Sequence, residues 1–147
     1  MNRIKKIFIN IAVYVLIVGG TVFGLPKILA WSLGTSYPMA AITSGSMWPV
    51  LKEGDLVLIK AVTREEVGIG DIIVYRNKPN SGFTIHRVLR LDQDQIVTKG
   101  DANFNEDQPI VYESIVGRAL TLGGKPLRLP YLGLITVLAN KTYEGGQ

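Results

Sequence analysis

At 147 residues, with 47% apolar and 19% charged side chains, the chain can pack one domain around a core and still carry an appendage. It has no cysteine, which excludes disulfides, thiolate metal sites and a cysteine nucleophile, and a single histidine, which excludes a multi-histidine metal site. The net charge of +4 is spread without a long basic run, so the sequence carries no nucleic-acid-binding footprint.

The chain opens on a basic segment holding Arg3, Lys5 and Lys6. Residues 7–25 follow with no charge at all, and Asn10 is their most polar member. About 20 apolar residues cross the hydrocarbon core of a bilayer as a helix. The stretch is longer than the apolar region of a cleaved leader, and Pro26-Lys27 follows it instead of a small-residue cleavage site. It is apolar on every side, which argues against a core helix in so small a domain. The basic flank keeps the N-terminus in the cytoplasm. The expected organisation is a cytoplasmic start over residues 1–6, a transmembrane helix over 7–25 and a linker over 26–37. A domain outside the cytoplasm then covers 38–140, and a loose tail 141–147.

Residues 38–43 read as a short extended lead-in to Thr43-Ser44-Gly45-Ser46-Met47-Trp48-Pro49. Two Gly-Asp turns, Gly54-Asp55 and Gly70-Asp71, each open a run rich in β-branched residues. Residues 77–82 form a loop by composition. Further strands are expected over 83–91, 95–99 and within 111–122. Short strands at close spacing with glycine turns predict a mainly β domain. The apolar segment 129–139 is too short to span a bilayer as a helix; it either packs in the core or lies on the membrane surface.

Ser46 stands on a segment punctuated by Gly45 and Pro49, the kind of rigid turn that can present a hydroxyl and a backbone N–H together. Acyl transfer needs both, as nucleophile and as oxyanion donor. A serine nucleophile needs a base, and the one histidine, His86, lies in a strand-like run where imidazole suits that work. A third group must orient the imidazole. Asp101 and Asp107 both follow within reach, and spacing does not choose between them.

Five boxes carry a resemblance. Ser44-Gly45-Ser46-Met47-Trp48-Pro49, Gly54-Asp55-Leu56-Val57, Gly70-Asp71-Ile72-Ile73-Val74-Tyr75, Ile85-His86-Arg87-Val88 and Lys99-Gly100-Asp101-Ala102-Asn103 resemble, in order, those of type I signal peptidases (peptidase family S26). The commoner bacterial branch carries a lysine base where His86 stands. The histidine is similar to the endoplasmic-reticulum-type Ser-His-Asp branch, found also in archaea and some Gram-positive bacteria. Arg87 cannot take the lysine's place, because a guanidinium does not deprotonate near neutrality.

The resemblance implies a mainly β, signal-peptidase-like domain with one N-terminal transmembrane helix. It implies Ser46 as nucleophile, His86 as base, Asp107 as the favoured orienting acid and Asp101 as a supporting, site-shaping residue. Ser44 matches the hydroxyl that assists the oxyanion hole beside the Ser46 N–H. No cofactor or metal is implied. The implied partners are the lipid bilayer, preproteins with small residues before the cleavage site, and export machinery. The implied location is the plasma membrane, with the catalytic domain outside the cytoplasm. The longest family members carry a second span after a segment like 129–139; a single span is expected here. Two other readings share parts of this pattern: a catalytically silent membrane-anchored β module that binds exported peptides, and a self-cleaving regulator of the related Ser-Lys type.

Overall fold

The computed structural model describes residues 2–77 and 82–134. The tail expected over 141–147, most of the loop expected over 77–82 and the part of the apolar segment beyond Leu134 lie outside the described residues.

The apolar N-terminal stretch is helical, a conformation that satisfies its backbone N–H and C=O groups within the segment. Helix α1 (Arg3–Gly19) continues through a wide turn (Gly20–Gly24) into α2 (Leu25–Leu33). Pro26 sits in the first turn of α2, where its missing N–H costs nothing. The helix therefore runs on through residues 26–33, the start of the stretch read from sequence as a linker. The continuous helix Arg3–Leu33 is long and apolar enough to cross a membrane, and none of its residues is buried against the domain.

The rest of the described chain is mainly β, as its alternating, β-branched runs require. The strands are β1 (Met39–Ala41), β2 (Leu56–Lys60), β3 (Ile72–Arg76), β4 (Phe83–Leu91), β5 (Gln95–Lys99), β6 (Ile110–Val111), β7 (Ile115–Ala119), β8 (Thr121–Leu122), β9 (Lys125–Pro126) and β10 (Arg128–Leu129). One antiparallel sheet runs in the order β1-β2-β7-β3-β4-β5-β6, with β10 also on β2; β8 and β9 make a separate hairpin. Register shifts between Val74 and Tyr75 and between Val88 and Arg90 bend the sheet. Two apolar clusters fill its sides. One gathers Ile42, Met47, Leu51, Val57, Ile59, Ile72, Val74 and Ala119, and the other Val67, Ile73, Tyr75, Val88 and Ile96.

The two Gly-Asp turns are built alike. Asp55 Oδ2 accepts the Lys52 N–H and Asp71 Oδ2 the Gly68 N–H, each at 2.9 Å and each three residues back. Each carboxylate also takes an arginine from a distant strand, Arg128 at 2.8 Å on Asp55 and Arg118 at 2.9 Å on Asp71. A local turn signal is thereby tied to the sheet.

At Gly117, in β7, a Cβ would lie 2.5 Å from the Lys60 carbonyl oxygen and 2.8 Å from Ile59 Cγ2, so β2 and β7 pack as they do only with hydrogen there. Gly117→Ala should destabilise the domain by about 1–3 kcal/mol, the usual cost of overpacking. A thermal melt of the detergent-solubilised chain measures this, and an unchanged melting temperature would contradict it.

Candidate active site

The loop between β1 and β2 carries Ser46. It is anchored from beneath: Met47 and Leu51 are 1% and 0% exposed, and both belong to the first apolar cluster. The Ile42 N–H donates to the Asp55 carbonyl and the Gly54 N–H to the Ile42 carbonyl, each at 2.8 Å, which closes the base of the loop. Within it the Trp48 N–H donates to the Gly45 carbonyl at 3.0 Å and the Leu51 N–H to the Met47 carbonyl at 2.9 Å. A second segment holds the serine from the other side. The Ala102 N–H donates to the Ser46 carbonyl at 2.9 Å, and a Cβ on Gly100 would lie 2.6 Å from that oxygen.

His86 lies in β4, between β3 and β5, and is 7% exposed. Register pairs it with Ile73, Thr84 with Tyr75, and Val88 with Thr98, so these side chains share one face of three adjacent strands. Ser46 Oγ–H donates to His86 Nε2 at 3.1 Å. His86 Nδ1–H donates to Asp107 Oδ2 at 2.6 Å, the tautomer that this network requires. Ser44 Oγ lies 3.3 Å from Ser46 Oγ.

The two acids left open by spacing stand in different places. Asp107 is on His86. Asp101 is on Arg87, which forks onto it through Nε at 2.8 Å and Nη2 at 2.7 Å and donates through Nη1 to the Gly70 carbonyl at 2.8 Å. The hydrogen bonds to Asp101 push the Arg87 guanidinium above its already high ordinary value, so it stays charged. Arg90 holds Glu106 at 2.7 Å. Two arginines of β4, Arg87 and Arg90, therefore pin both ends of the 100–107 segment that backs the serine.

Asp107 receives more than the imidazole. Thr98 Oγ1–H donates to the same Oδ2 at 2.7 Å, and the Tyr75 hydroxyl donates to it at 3.3 Å. Burial pushes the Tyr75 phenol above the usual tyrosine range, so it remains a neutral donor. Tyr75 closes the third box and Thr98 stands just before the last, but neither motif points to a contact with Asp107; the register of β3, β4 and β5 brings both to the acid. Asn103, quoted within the last box but given no role, lines the cleft beside Ser46.

That cleft has a volume of ≈ 590 Å³ and runs between β1 and β4, with Met39, Ala41, Phe83 and Ile85 among its walls and Ser44, Ser46 and His86 on its lining. Two strands separated by three others in the sheet line one cleft, so the sheet coils strongly. The Tyr37 and Phe83 rings meet across it at 4.8 Å. Among the described residues no group of three or more histidine, aspartate or glutamate side chains is placed to hold a metal ion.

A hydroxyl, an imidazole and a carboxylate in hydrogen-bonded series beside an apolar cleft is an arrangement able to perform nucleophilic acyl transfer. No family model matches the chain. Individual proteins do. It is 30% identical over 129 residues to the signal peptidase complex catalytic subunit SEC11 of Metarhizium acridum, an alignment that covers 82% of this chain and 74% of that protein. The chain belongs to the signal peptidase family. The SEC11 protein of Metarhizium robertsii matches to the same extent, and SEC11C of Homo sapiens is 26% identical over 153 residues, covering 95% of this chain and 76% of that one. The peptidase is accordingly a hydrolase, and its mainly β domain behind one apolar N-terminal helix is the fold that the resemblance implied.

Gly100 gives this geometry a test. Gly100→Ala must displace either the Ser46 carbonyl or Asn103, whose Nδ2 a Cβ would approach to 2.8 Å. With Ser46 as the expected nucleophile, a displacement of a fraction of an ångström should lower the turnover of the peptidase by at least about tenfold while circular dichroism keeps its β signature. Wild-type turnover would contradict the packing described.

Proposed function

We propose that this peptidase is a membrane-anchored serine endopeptidase that removes N-terminal signal peptides from exported preproteins. The observation that supports it most is the series Ser46–His86–Asp107, at 3.1 Å and 2.6 Å, opening on a cleft between two strands. Ser46 Oγ attacks the scissile carbonyl as His86 Nε2 takes its proton. Asp107 holds the Nδ1–H tautomer and stabilises the imidazolium that forms. The Ser46 N–H and the Ser44 hydroxyl receive the oxyanion. His86 then delivers its proton to the leaving amine, and water releases the acyl group by the same route. Asp101, held by Arg87, shapes the segment behind Ser46 and touches no reacting atom.

The preprotein enters extended, adding a strand beside β1 or beside the start of β4. The apolar cleft walls admit small residues before the scissile bond. Helix Arg3–Leu33 anchors the enzyme, with Arg3, Lys5 and Lys6 keeping its start in the cytoplasm and the domain on the far side of the plasma membrane.

With a preprotein and the detergent-solubilised chain, Ser46→Ala and His86→Ala should abolish cleavage. Asp107→Asn should lower kcat by up to about 10⁴, because it stabilises the wrong tautomer, and should do more harm than Asp101→Asn. Cleavage by Ser46→Ala at the wild-type rate would refute the reading and leave a peptide-binding module. Fragments of the chain in its own mass spectrum, with no preprotein processed, would favour self-cleavage instead.

Orientation is tested separately. Protease added outside spheroplasts should digest the domain beyond Leu33 and leave the helix protected. Full protection with intact membranes would overturn the topology.

A further inference from the structure

The carboxylate that meets His86 stands on a loop, and its side chain is 22% exposed. Packing alone does not lock it. The neighbours that touch it are of the opposite kind. Thr98 is 0% exposed on β5 and Tyr75 is 3% exposed on β3, the two strands that flank His86. Oδ2 of Asp107 receives the imidazole N–H at 2.6 Å, the Thr98 hydroxyl at 2.7 Å and the Tyr75 hydroxyl at 3.3 Å. Thr98 Oγ1 also lies 3.2 Å from the Tyr75 hydroxyl, and the Asp107 N–H donates to the Thr98 carbonyl at 2.8 Å. Thr98 thus holds Asp107 by backbone and side chain together.

We propose that Thr98 and Tyr75 are positioning residues of the peptidase: two buried hydroxyls on rigid strands that fix the rotation of the Asp107 carboxylate so that one oxygen, Oδ2, faces His86 Nδ1. The inference rests on the Ser46–His86–Asp107 reading above. Without these donors the carboxylate turns about its Cβ–Cγ bond, the Nδ1–H bond loses its fixed partner, and the tautomer that leaves Nε2 free to accept from Ser46 loses population. A partly exposed acid on a loop needs such support, because a catalytic group must be held near its productive angle by neighbours with locked rotamers of their own.

His86 is the only histidine in the chain, so ¹⁵N-labelled histidine gives one imidazole signal set, and its tautomer can be read directly in the full-length, detergent-solubilised protein. Thr98→Val keeps the shape and removes the hydroxyl. It should lower kcat on a preprotein by about 10- to 100-fold at unchanged KM, the worth of one hydrogen bond to a charged group, and should reduce the Nδ1–H tautomer. Thr98→Ser keeps the hydroxyl and should restore both. Tyr75→Phe should show the same changes to a smaller extent, since its contact is longer. If Thr98→Val does not fold, Tyr75→Phe decides by the same two readouts. Turnover within about twofold of wild type with an unchanged imidazole spectrum overturns the proposal, and so does a Thr98→Ser protein that folds yet is as impaired as Thr98→Val. Asp107→Asn runs alongside: if it too turns over normally, the underlying Ser-His-Asp reading fails, whereas if it alone is impaired only the positioning role does.

Discussion

The 2.6 Å contact between His86 and Asp107 joins two parts of the chain that have no local reason to meet. One is a strand between β3 and β5; the other is the far end of the loop that leaves β5. The segment 100–107 is drawn back over the sheet by its own charges. Asp101 takes the fork of Arg87, Glu106 takes Arg90, and Asp107 takes His86, all from β4. Folded back in this way, the segment gives its Ala102 N–H to the carbonyl of Ser46. The serine is therefore placed by the same strand that carries the histidine, through the loop between them.

Alternation along β4 makes this arrangement economical. His86 and Arg87 point to opposite faces, as neighbours in a strand must. One meets an acid on the side that holds Tyr75, Thr98 and Val88; the other meets an acid on the reverse side and reaches the Gly70 carbonyl beside the β3 turn. The two aspartates are consequently not interchangeable. Asp101 belongs to a bidentate guanidinium pair, whose geometry holds a backbone in place. Asp107 belongs to a cluster of neutral donors around an imidazole, whose geometry sets a tautomer.

The cleft and the helix share a chemical theme. Met39, Ala41, Ile59, Val74 and Ile85 give the cleft apolar walls, and Ser44, Ser46 and His86 stand among its polar groups. Such a site discriminates by shape along most of its length and by hydrogen bonding at one point. Under the proposed function this suits an extended segment with small side chains, whose main chain supplies the recognition. Under the same proposal the helix Arg3–Leu33, long and apolar enough to cross a membrane, keeps the site beside the bilayer where such segments emerge.

The amino-acid sequence alone settled what depends on local composition. The uncharged run at 7–25 required a helix with no buried face, and the β-branched runs after Gly54-Asp55 and Gly70-Asp71 required strands. The ordered boxes held Ser44, Ser46, His86 and Asp101, and Asp107 followed the last of them; the fold gathers all five around one loop. The helix's continuation to Leu33 was not legible, because Pro26 reads as a breaker until its place in the first turn is known. Spacing could not separate Asp107 from Asp101 and only the resemblance favoured Asp107; the tertiary structure puts Asp107 against His86 and Asp101 against Arg87, on opposite faces of β4. Only it brought in Thr98 and Tyr75. They stand 9 and 32 residues from Asp107, and no local pattern links them to it. Pairing register decides which side chains of neighbouring strands share a face, and register is a property of the whole sheet.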